Sequence, residues 1–554
     1  MEVDIVKFCL VIAIFAILIG GLGYLGYKKT KSSADFLVGG REIHPFVMAM
    51  SYGAAFISTS AIVGFGGVAG RFGLGLLWLP LCNIVIGIFI AFVFFGKRTR
   101  RMGLNIKAHS FPEFIGNRFQ SDRIKVICGA IIFSTMPLYA AVVLIGGAKF
   151  IGNIVSLNFK IAIVCFAVFI ALYVIIGGLK AVMYIDALMG TIMISGMLFL
   201  LVMTYYKIGG VVEGHQALTD MAHLVPEKLK AVGHQGWTKM PAFGSTWWWV
   251  LVSTLILGVG IGTLAQPQLS VRFMTVKSNR ELNRAVLVGA IFIMCTAGIA
   301  YVVGSLSNVY FFQTIGKTAM QAANGDVDSV IPQFISVAMP DWFVYIFTVT
   351  LLSAGMSTLS ALFHAMGASV GYDCYTNLMK KNKQSIIATK TGIVVGIILS
   401  TILALSLPED GIVARGTAIF FGICAGTFLP SYTAAVFWKR ATKQGVYASI
   451  FAGLAVSTFC LTFLHGKEAK ILGICKLLFG KDVLITAQPW PVIDPIIFSL
   501  PLSILVLVIV SLLSKKPSSE HINLCFEGID KNIIDHDQQY NDAVNEVVDV
   551  ERGD

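Results

Sequence analysis

Gly53-Ala54-Ala55-Phe56-Ile57-Ser58-Thr59-Ser60 and Ala354-Gly355-Met356-Ser357-Thr358-Leu359-Ser360 are two runs of small residues and hydroxyls inside stretches too apolar to be loops. At membrane depth such runs read as helix breaks. They leave backbone carbonyls and side-chain oxygens free, which a bilayer tolerates only where they line a protected site. Oxygens of this kind are the ligands a small hard cation takes.

The surrounding composition puts both runs in a membrane. Of 554 residues, 56% are apolar and only 13% charged, against about a quarter charged in a soluble domain. Mean hydropathy is +0.79. Apolar runs and their breaks give about thirteen spans, near 5–27, 45–71, 75–96, 124–152, 159–179, 184–207, 244–270, 282–311, 341–372, 385–407, 411–438, 444–465 and 491–514. The first is long enough to cross, and no small-residue cleavage site interrupts it before Lys28-Lys29, so it reads as a span and not a signal peptide.

The net charge of +12 is a topology mark, not a nucleic-acid surface. Lys28, Lys29 and Lys31 follow span one; Lys97, Arg98, Arg100 and Arg101 follow span three; Lys180 follows span five. Arg272, Lys277, Arg280 and Arg284 follow span seven, and Lys380, Lys381 and Lys383 follow span nine. Lys439, Arg440 and Lys443 follow span eleven, and Lys515 and Lys516 follow span thirteen. Every cluster falls after an odd-numbered span, which sets the N-terminus outside and the C-terminus in the cytoplasm of a multi-pass cell-membrane protein.

One transmembrane domain, 1–516, is therefore expected, with a polar, acidic cytoplasmic tail over 517–554 that reads as disordered or loosely helical. The exterior loops near 208–243, 312–340 and 466–490 are too short to fold alone. Ten cysteines are scattered without metal-ligand spacing and read as small buried apolar residues. No phosphate-binding loop, triad or metal pair is present, so neither ATP-driven transport nor an enzyme is expected, and no cofactor beyond an ion.

A sodium site can be made from two carbonyls of a broken helix, one carbonyl of a facing helix and two hydroxyls. Ala54 and Ile57, three apart, suit the first pair; Ala354, Ser357 and Thr358 suit the rest. The same residue types also serve close helix packing. A further break, Gly258-Val259-Gly260-Ile261 through Gln266-Pro267, interrupts span seven. Interrupted spans in separate halves point to an inverted-repeat transporter with a midplane site.

These stretches resemble the sodium/solute symporter family, whose members carry proline, pantothenate, monocarboxylates, sialic acid or sugars. Gly53 to Gly67 and Ala354 to Ser360 carry the resemblance, with Ile176-Gly177-Gly178-Leu179-Lys180 and the following Asp186, Gln266-Pro267-Gln268-Leu269-Ser270-Val271-Arg272-Phe273-Met274, Leu138-Tyr139-Ala140-Ala141, and Leu429-Pro430 with Phe437 to Gly445. The resemblance covers nearly all spans in order. It implies an all-α polytopic protein with a LeuT-like core of two inverted five-helix repeats, here spans two to eleven (about 45–438). It also implies sodium contacts at Ala54, Ile57, Ala354, Ser357 and Thr358, and Asp186 on the ion's exit path. An Asp at membrane depth is a functional candidate by itself, or an interfacial Asp paired with Lys180 or another base. The family's Gln three residues beyond that Asp is Met189 here.

In this fold the solute sits at the midplane, so Ser58, Thr59, Tyr139, Gly262, Thr263, Gln266 and Phe421 are its candidate lining. Val259 and Thr263 stand where the proline-symporter pattern has bulky aromatics, and the charged and amide groups of the sugar-carrier pattern are missing. A small organic acid is the favoured cargo, its carboxylate held by half-helix N-termini and the Ser58, Thr59 and Ser60 hydroxyls. Arg415 reads as a snorkelling interfacial arginine, with anion steering as the alternative. His364 reads as a packed helix histidine, with a proton site as the alternative. The expectation is a monomeric sodium-coupled symporter working by alternating access. Its rivals are a sodium/proline or other amino-acid symporter, a proton-coupled carrier using His364 or Asp186, and a non-transporting sensor.

Overall fold

The computed structural model describes residues 5–30, 33–155, 157–375, 386–408 and 411–529. Every regular element among them is a helix. Eleven helices are long and apolar enough to cross a membrane. The bent pair Pro45–Phe56 and Ser60–Phe72 and the shorter apolar helix Phe159–Leu172 complete the thirteen spans read from hydropathy. The structure runs spans five and six together as Phe159–Lys207, with the chain turned at Gly178 (φ 60°, ψ −175°). That backbone is open to glycine and strained for other residues. A Cβ there would also meet the Phe36 ring at 2.6 Å. Span thirteen begins at Ile496 and not near 491, because Pro491 and Pro495 keep the preceding chain out of the helix.

Burial sorts the spans into an inner and an outer layer. The most apolar 18 residues of span nine, within Asp341–Gly371, are 94% buried by protein, while those of span one are 11% buried and face lipid. Span eleven, Ile412–Phe437, is the other deeply buried helix. A helix apolar on all sides needs such neighbours or lipid around it.

The two hydroxyl-rich runs behave differently. Helix Pro45–Phe56 stops at Ile57, which is extended (φ −86°, ψ 102°), and the chain resumes as a helix at Ser60 after a 55° bend. The run at Ala354 does not break its helix: Asp341–Gly367 is continuous over 27 residues. There the hydroxyls donate back into their own helix, Ser357 Oγ to the Ser353 carbonyl at 2.8 Å and Ser360 Oγ to the Ser357 carbonyl at 2.9 Å. Such bonds leave the helical path intact. Span seven does break as expected, at Gln266 (φ −72°, ψ 113°), with Pro267 opening the next helix. Spans two and seven, the first of each five-span half, thus carry the same extended break.

On the face bearing the basic clusters, several arginines do more than mark topology. Arg100 and Arg272 are each buried to 2% exposure or less. Arg100 Nε donates to the Val276 carbonyl at 2.9 Å. The Lys380–Lys383 cluster lies outside the described residues. Part of the tail is ordered against this face: Ser519–Phe526 forms a helix whose Phe526 ring lies 5.1 Å from the Arg118 guanidinium and 5.3 Å from the Lys439 amine. Arg101 and Asn105 donate to the Glu527 carbonyl behind it. Residues 530–554 lie outside the described residues.

Candidate functional site

The break in span two brings its end against span nine. Ser357 Oγ lies 2.8 Å from the Ala54 carbonyl oxygen and Thr358 Oγ1 3.4 Å from the same atom. Ser357 Oγ is also 3.3 Å from the Ala354 carbonyl. Four of the five oxygens expected from the sequence are therefore linked, the Ser357 and Thr358 hydroxyls meeting the Ala54 carbonyl and the Ala354 carbonyl joining through Ser357 Oγ, all on buried residues. Ile57 supplies the break itself; its extended ψ turns its carbonyl out of the helical direction.

Beyond the break, Ser58 restarts the helix. Its hydroxyl accepts from the Ser60 amide at 3.1 Å, and its carbonyl from the Ala61 amide at 3.0 Å, the pattern of a capping serine. Thr59 Oγ1 donates to the Val143 carbonyl on span four at 2.8 Å. The Ser60 hydroxyl is buried and has no hydrogen-bond partner among the described residues, a costly state unless a ligand supplies one.

The proposed solute lining forms two groups. Tyr139 approaches Ser58 with its hydroxyl at 3.5 Å and packs on Phe420 (5.1 Å, stacked) and Phe421 (5.5 Å, edge-on). Phe56 stands 6.1 Å from Phe421. Gly262 is pressed against the Phe421 backbone, where a Cβ would lie 2.5 Å from the carbonyl oxygen. These residues meet. Thr263 and Gln266 spend their polar groups elsewhere: Thr263 Oγ1 donates to the Val259 carbonyl at 2.8 Å, and Gln266 Oε1 accepts from Gln268 Nε2 at 2.7 Å.

One turn before Ala54 on the same helix, Ser51 meets Asp186, which is buried in an ion pair with Arg272. Asp186 Oδ2 accepts from Arg272 Nη2 at 3.0 Å and from Ser51 Oγ at 2.8 Å. Arg272 Nε donates to Ser51 Oγ at 3.0 Å, and Nη1 to the Gln268 carbonyl at 2.6 Å. The group ties spans two, six and seven together beside their breaks. Arg272, read from the sequence among the bases that mark topology, is thus also a buried ion-pair partner. Asp186 is paired with a base, as one expectation allowed, but the base is Arg272 and not Lys180, whose amine sits 3.2 Å from Asp35.

Comparison with known proteins decides the family: its sequence profile, described as the sodium:solute symporter family, matches residues 36–453. The chain belongs to the sodium:solute symporter family. It is 27% identical over 517 residues to a sodium/proline symporter of Haemophilus influenzae, spanning 92% of this chain and 95% of that one. It is 25% identical over 432 residues to a sodium/pantothenate symporter of the same organism, spanning 77% and 84%. Among solved structures, a substrate-bound, outward-open Na+-coupled sialic acid symporter superimposes with a TM-score of 0.71 at 17% identity, over 92% of this chain and 98% of that chain. The architecture is the LeuT-like one, and the protein is a multi-pass membrane transporter, not an enzyme.

Within this symporter, His364 is a packed histidine: Nε2 is 2.9 Å from the Phe36 carbonyl and the ring lies 5.6 Å from the Phe36 ring. Arg415 is not a free snorkelling residue; its Nε is 2.7 Å from Glu468. One residue of this group escaped the sequence reading. Arg272 was concealed in a run of bases, although a lone carboxylate at membrane depth demands a buried base.

Proposed function

We propose that this symporter moves a small carboxylate-bearing solute into the cell with sodium, by alternating access, and that the ion is held by the Ala54, Ile57 and Ala354 carbonyls with the Ser357 and Thr358 hydroxyls. The observation that carries the reading is the contact of Ser357 Oγ and Thr358 Oγ1 with the Ala54 carbonyl across the break. These are hard oxygens from two helices converging on one point, and the ion would replace a hydroxyl–carbonyl hydrogen bond as their common partner. Sodium binding then favours the state in which span two and span nine are closed on each other, and the solute is coupled through the same helices. Membrane potential adds about 2.3 kcal/mol per charge per 100 mV to the driving force.

The solute site in this reading lies between Tyr139, Phe421, Gly262 and the Ser58–Ser60 turn. The unpartnered Ser60 hydroxyl and the N-terminus of the resumed half-helix supply donors for a carboxylate. Thr59, Thr263 and Gln266 shape the walls. Asp186 marks the ion's way out: Ser360 lies beside its carboxylate and is bonded to the Ser357 carbonyl, so polar groups run from the ion site to the Asp186–Arg272 pair. The N-terminus is outside, the tail is cytoplasmic, and the working unit is a monomer.

A proline-carrying version of the same mechanism is favoured by the relatives, several of which are sodium/proline symporters. Val259 and Thr263 speak for a roomier site than proline needs. A thermal-shift screen of the purified protein against pantothenate, pyruvate, other monocarboxylates and L-proline, with and without sodium, tests the reading. Stabilisation by a carboxylate that requires sodium is expected; a shift that is indifferent to sodium sinks the coupling.

A further inference from the structure

The docked tail helix Ser519–Phe526 borders a cavity of about 280 Å³ on the basic face. Arg118, Lys443, Lys515, Lys516 and His521 line it, and no Asp or Glu does among the described residues. Lys515 and Lys516 directly follow span thirteen, and Lys443 opens span twelve. Basic residues at the ends of spans attract anions at the membrane surface.

Exposed lysines alone make a solvated face, and two further features set this cavity apart. The first is that two helices start at it, Lys443–Phe459 after Thr442 and Ser519–Phe526 after Ser518. Helix starts present backbone N–H groups to an anion. Thr442 Oγ1 accepts from the Gly445 amide at 3.2 Å, whereas Ser518 makes no side-chain cap bond. The second is Arg118, which is fully buried. Its Nε donates to the Ala435 carbonyl at 3.1 Å and its Nη2 to the Trp438 carbonyl at 3.2 Å. Its Nη1 is buried without a hydrogen-bond partner among the described residues. Burial pulls the guanidinium down to about 10, and the opposing pull of Cys525 is smaller. A buried cation served only by neutral carbonyls, with three lysines around the same cavity, gains most from an anion that offers several oxygens. The tail is tied to the same residue, since His521 Nε2 lies 3.1 Å from the Arg118 carbonyl.

We propose that this cavity is a phosphate site, in which Arg118, Lys443, Lys515 and Lys516 hold a phosphate group between the tail helix and the start of span twelve. An anionic lipid headgroup and a free phosphate present the same oxygens to it. Either one clamps the tail helix onto the transporter, whatever the cargo and without sodium.

Two titrations of the purified full chain test it, both in sodium-free buffer. In neutral detergent, potassium phosphate is compared with potassium chloride at equal ionic strength. In nanodiscs, phosphatidylcholine is compared with phosphatidylcholine containing phosphatidylglycerol. A saturable rise of the thermal midpoint in phosphate, beyond that in chloride, is the result expected of a free phosphate. A higher midpoint in the phosphatidylglycerol discs is the result expected of a headgroup. Lys443→Gln with Lys516→Gln should weaken whichever response occurs by about tenfold or more, through the loss of charge-assisted bonds. Both lysines are exposed, and an unchanged midpoint in chloride shows that the variant folds. Cys525 is buried in the tail helix, so its maleimide labelling, read by peptide mass, should slow with the bound anion in the unsubstituted chain and not in the variant. No response in either titration, equal responses to phosphate and chloride with no effect of phosphatidylglycerol, an undiminished response in the variant, or Cys525 labelling indifferent to the anion overturns the proposal.

Discussion

Two runs of nearly the same composition, Gly53–Ser60 and Ala354–Ser360, take opposite backbone paths, and the direction of the hydroxyl bonds tells them apart. In the first, Ser58 accepts, taking the Ser60 amide and so ending one helix to begin another. In the second, Ser357 and Ser360 donate to carbonyls three and four residues back, which a continuous helix allows. One side of the candidate ion site therefore offers backbone carbonyls from a broken helix, and the other mainly side-chain oxygens from an intact one. The broken side needs holding from outside; the intact side holds itself.

The largest effect should come from removing what holds the broken side. Arg272→Gln leaves Asp186 buried without its base, a change that costs about 3–5 kcal/mol when one partner of a buried ion pair is lost. Asp186→Asn alone should cost similarly, and the double variant should recover most of the loss. Thermal unfolding of the four proteins in the absence of sodium measures this. Additive losses in the double variant would mean the two side chains act apart, and the clamp would not exist.

Next in size is the ion site itself. Ser357→Ala with Thr358→Ala should raise the sodium concentration for half-maximal stabilisation about a hundredfold, at roughly tenfold per lost ligand. In sodium-free buffer the same variant should lose only about 1–2 kcal/mol for the hydrogen bonds to the Ala54 carbonyl. Ser360→Ala, on the same helix but bonded back to Ser357, should barely move sodium affinity by comparison. Unchanged sodium dependence in the Ser357/Thr358 variant removes these residues from the site.

How much of this was legible in sequence follows from the same contrast. The spans were legible because hydropathy is summed over many residues, and the breaks at Ile57 and Gln266 because Gly, Ser and Pro cluster there. Whether a hydroxyl donates or accepts is set by neighbours in three dimensions, so the intact path of span nine was not. The pairing of Arg272 was missed for a related reason: its distance to Asp186 is 86 positions along the chain and one hydrogen bond in space. The docked helix Ser519–Phe526 was hidden because its weak apolar face finds its partners, Arg118 and Lys439, only in the folded protein.

The glycines sharpen the comparison from the other side, since they do not distinguish the two runs. A Cβ on Gly53 would meet the Phe292 ring at 2.6 Å, and one on Gly355 would meet the Phe166 ring at 2.6 Å. Both therefore serve close approach of neighbouring helices. Gly53→Ala and Gly355→Ala should each destabilise by about 1–3 kcal/mol, the range for overpacking a filled core, and by similar amounts in a thermal unfolding series. A cost confined to Gly53 would tie glycine to the break after all.

The smallest effect lies where the broken span ends, at the cavity lined by Arg71, Arg415 and His465. Burial disfavours the charged His465 ring, but the Glu468 carboxylate bonded to it prevails and raises its pKa. Burial likewise pushes Glu468 up, and His465 with Arg415 prevails and brings it below the ordinary range. The signs differ. The raised histidine contributes stability in full below its unfolded pKa of about 6.5 and loses it as pH rises through the higher folded value; the depressed glutamate contributes above about 4.3 and loses it as pH falls through its lower folded value. Stability from this group should thus be greatest between about pH 4.3 and 6.5, with an amplitude of roughly 1 kcal/mol for so small a cluster. His465→Gln should remove the decline on the alkaline side and leave the acid side in place, because Arg415 still pairs with Glu468. Glu468→Gln should remove both. A thermal midpoint measured across this range that declines above pH 6.5 in His465→Gln as steeply as in the unsubstituted chain would assign the alkaline loss to some other group, and would leave the buried Asp186–Arg272 clamp as the polar tether that matters on the broken side.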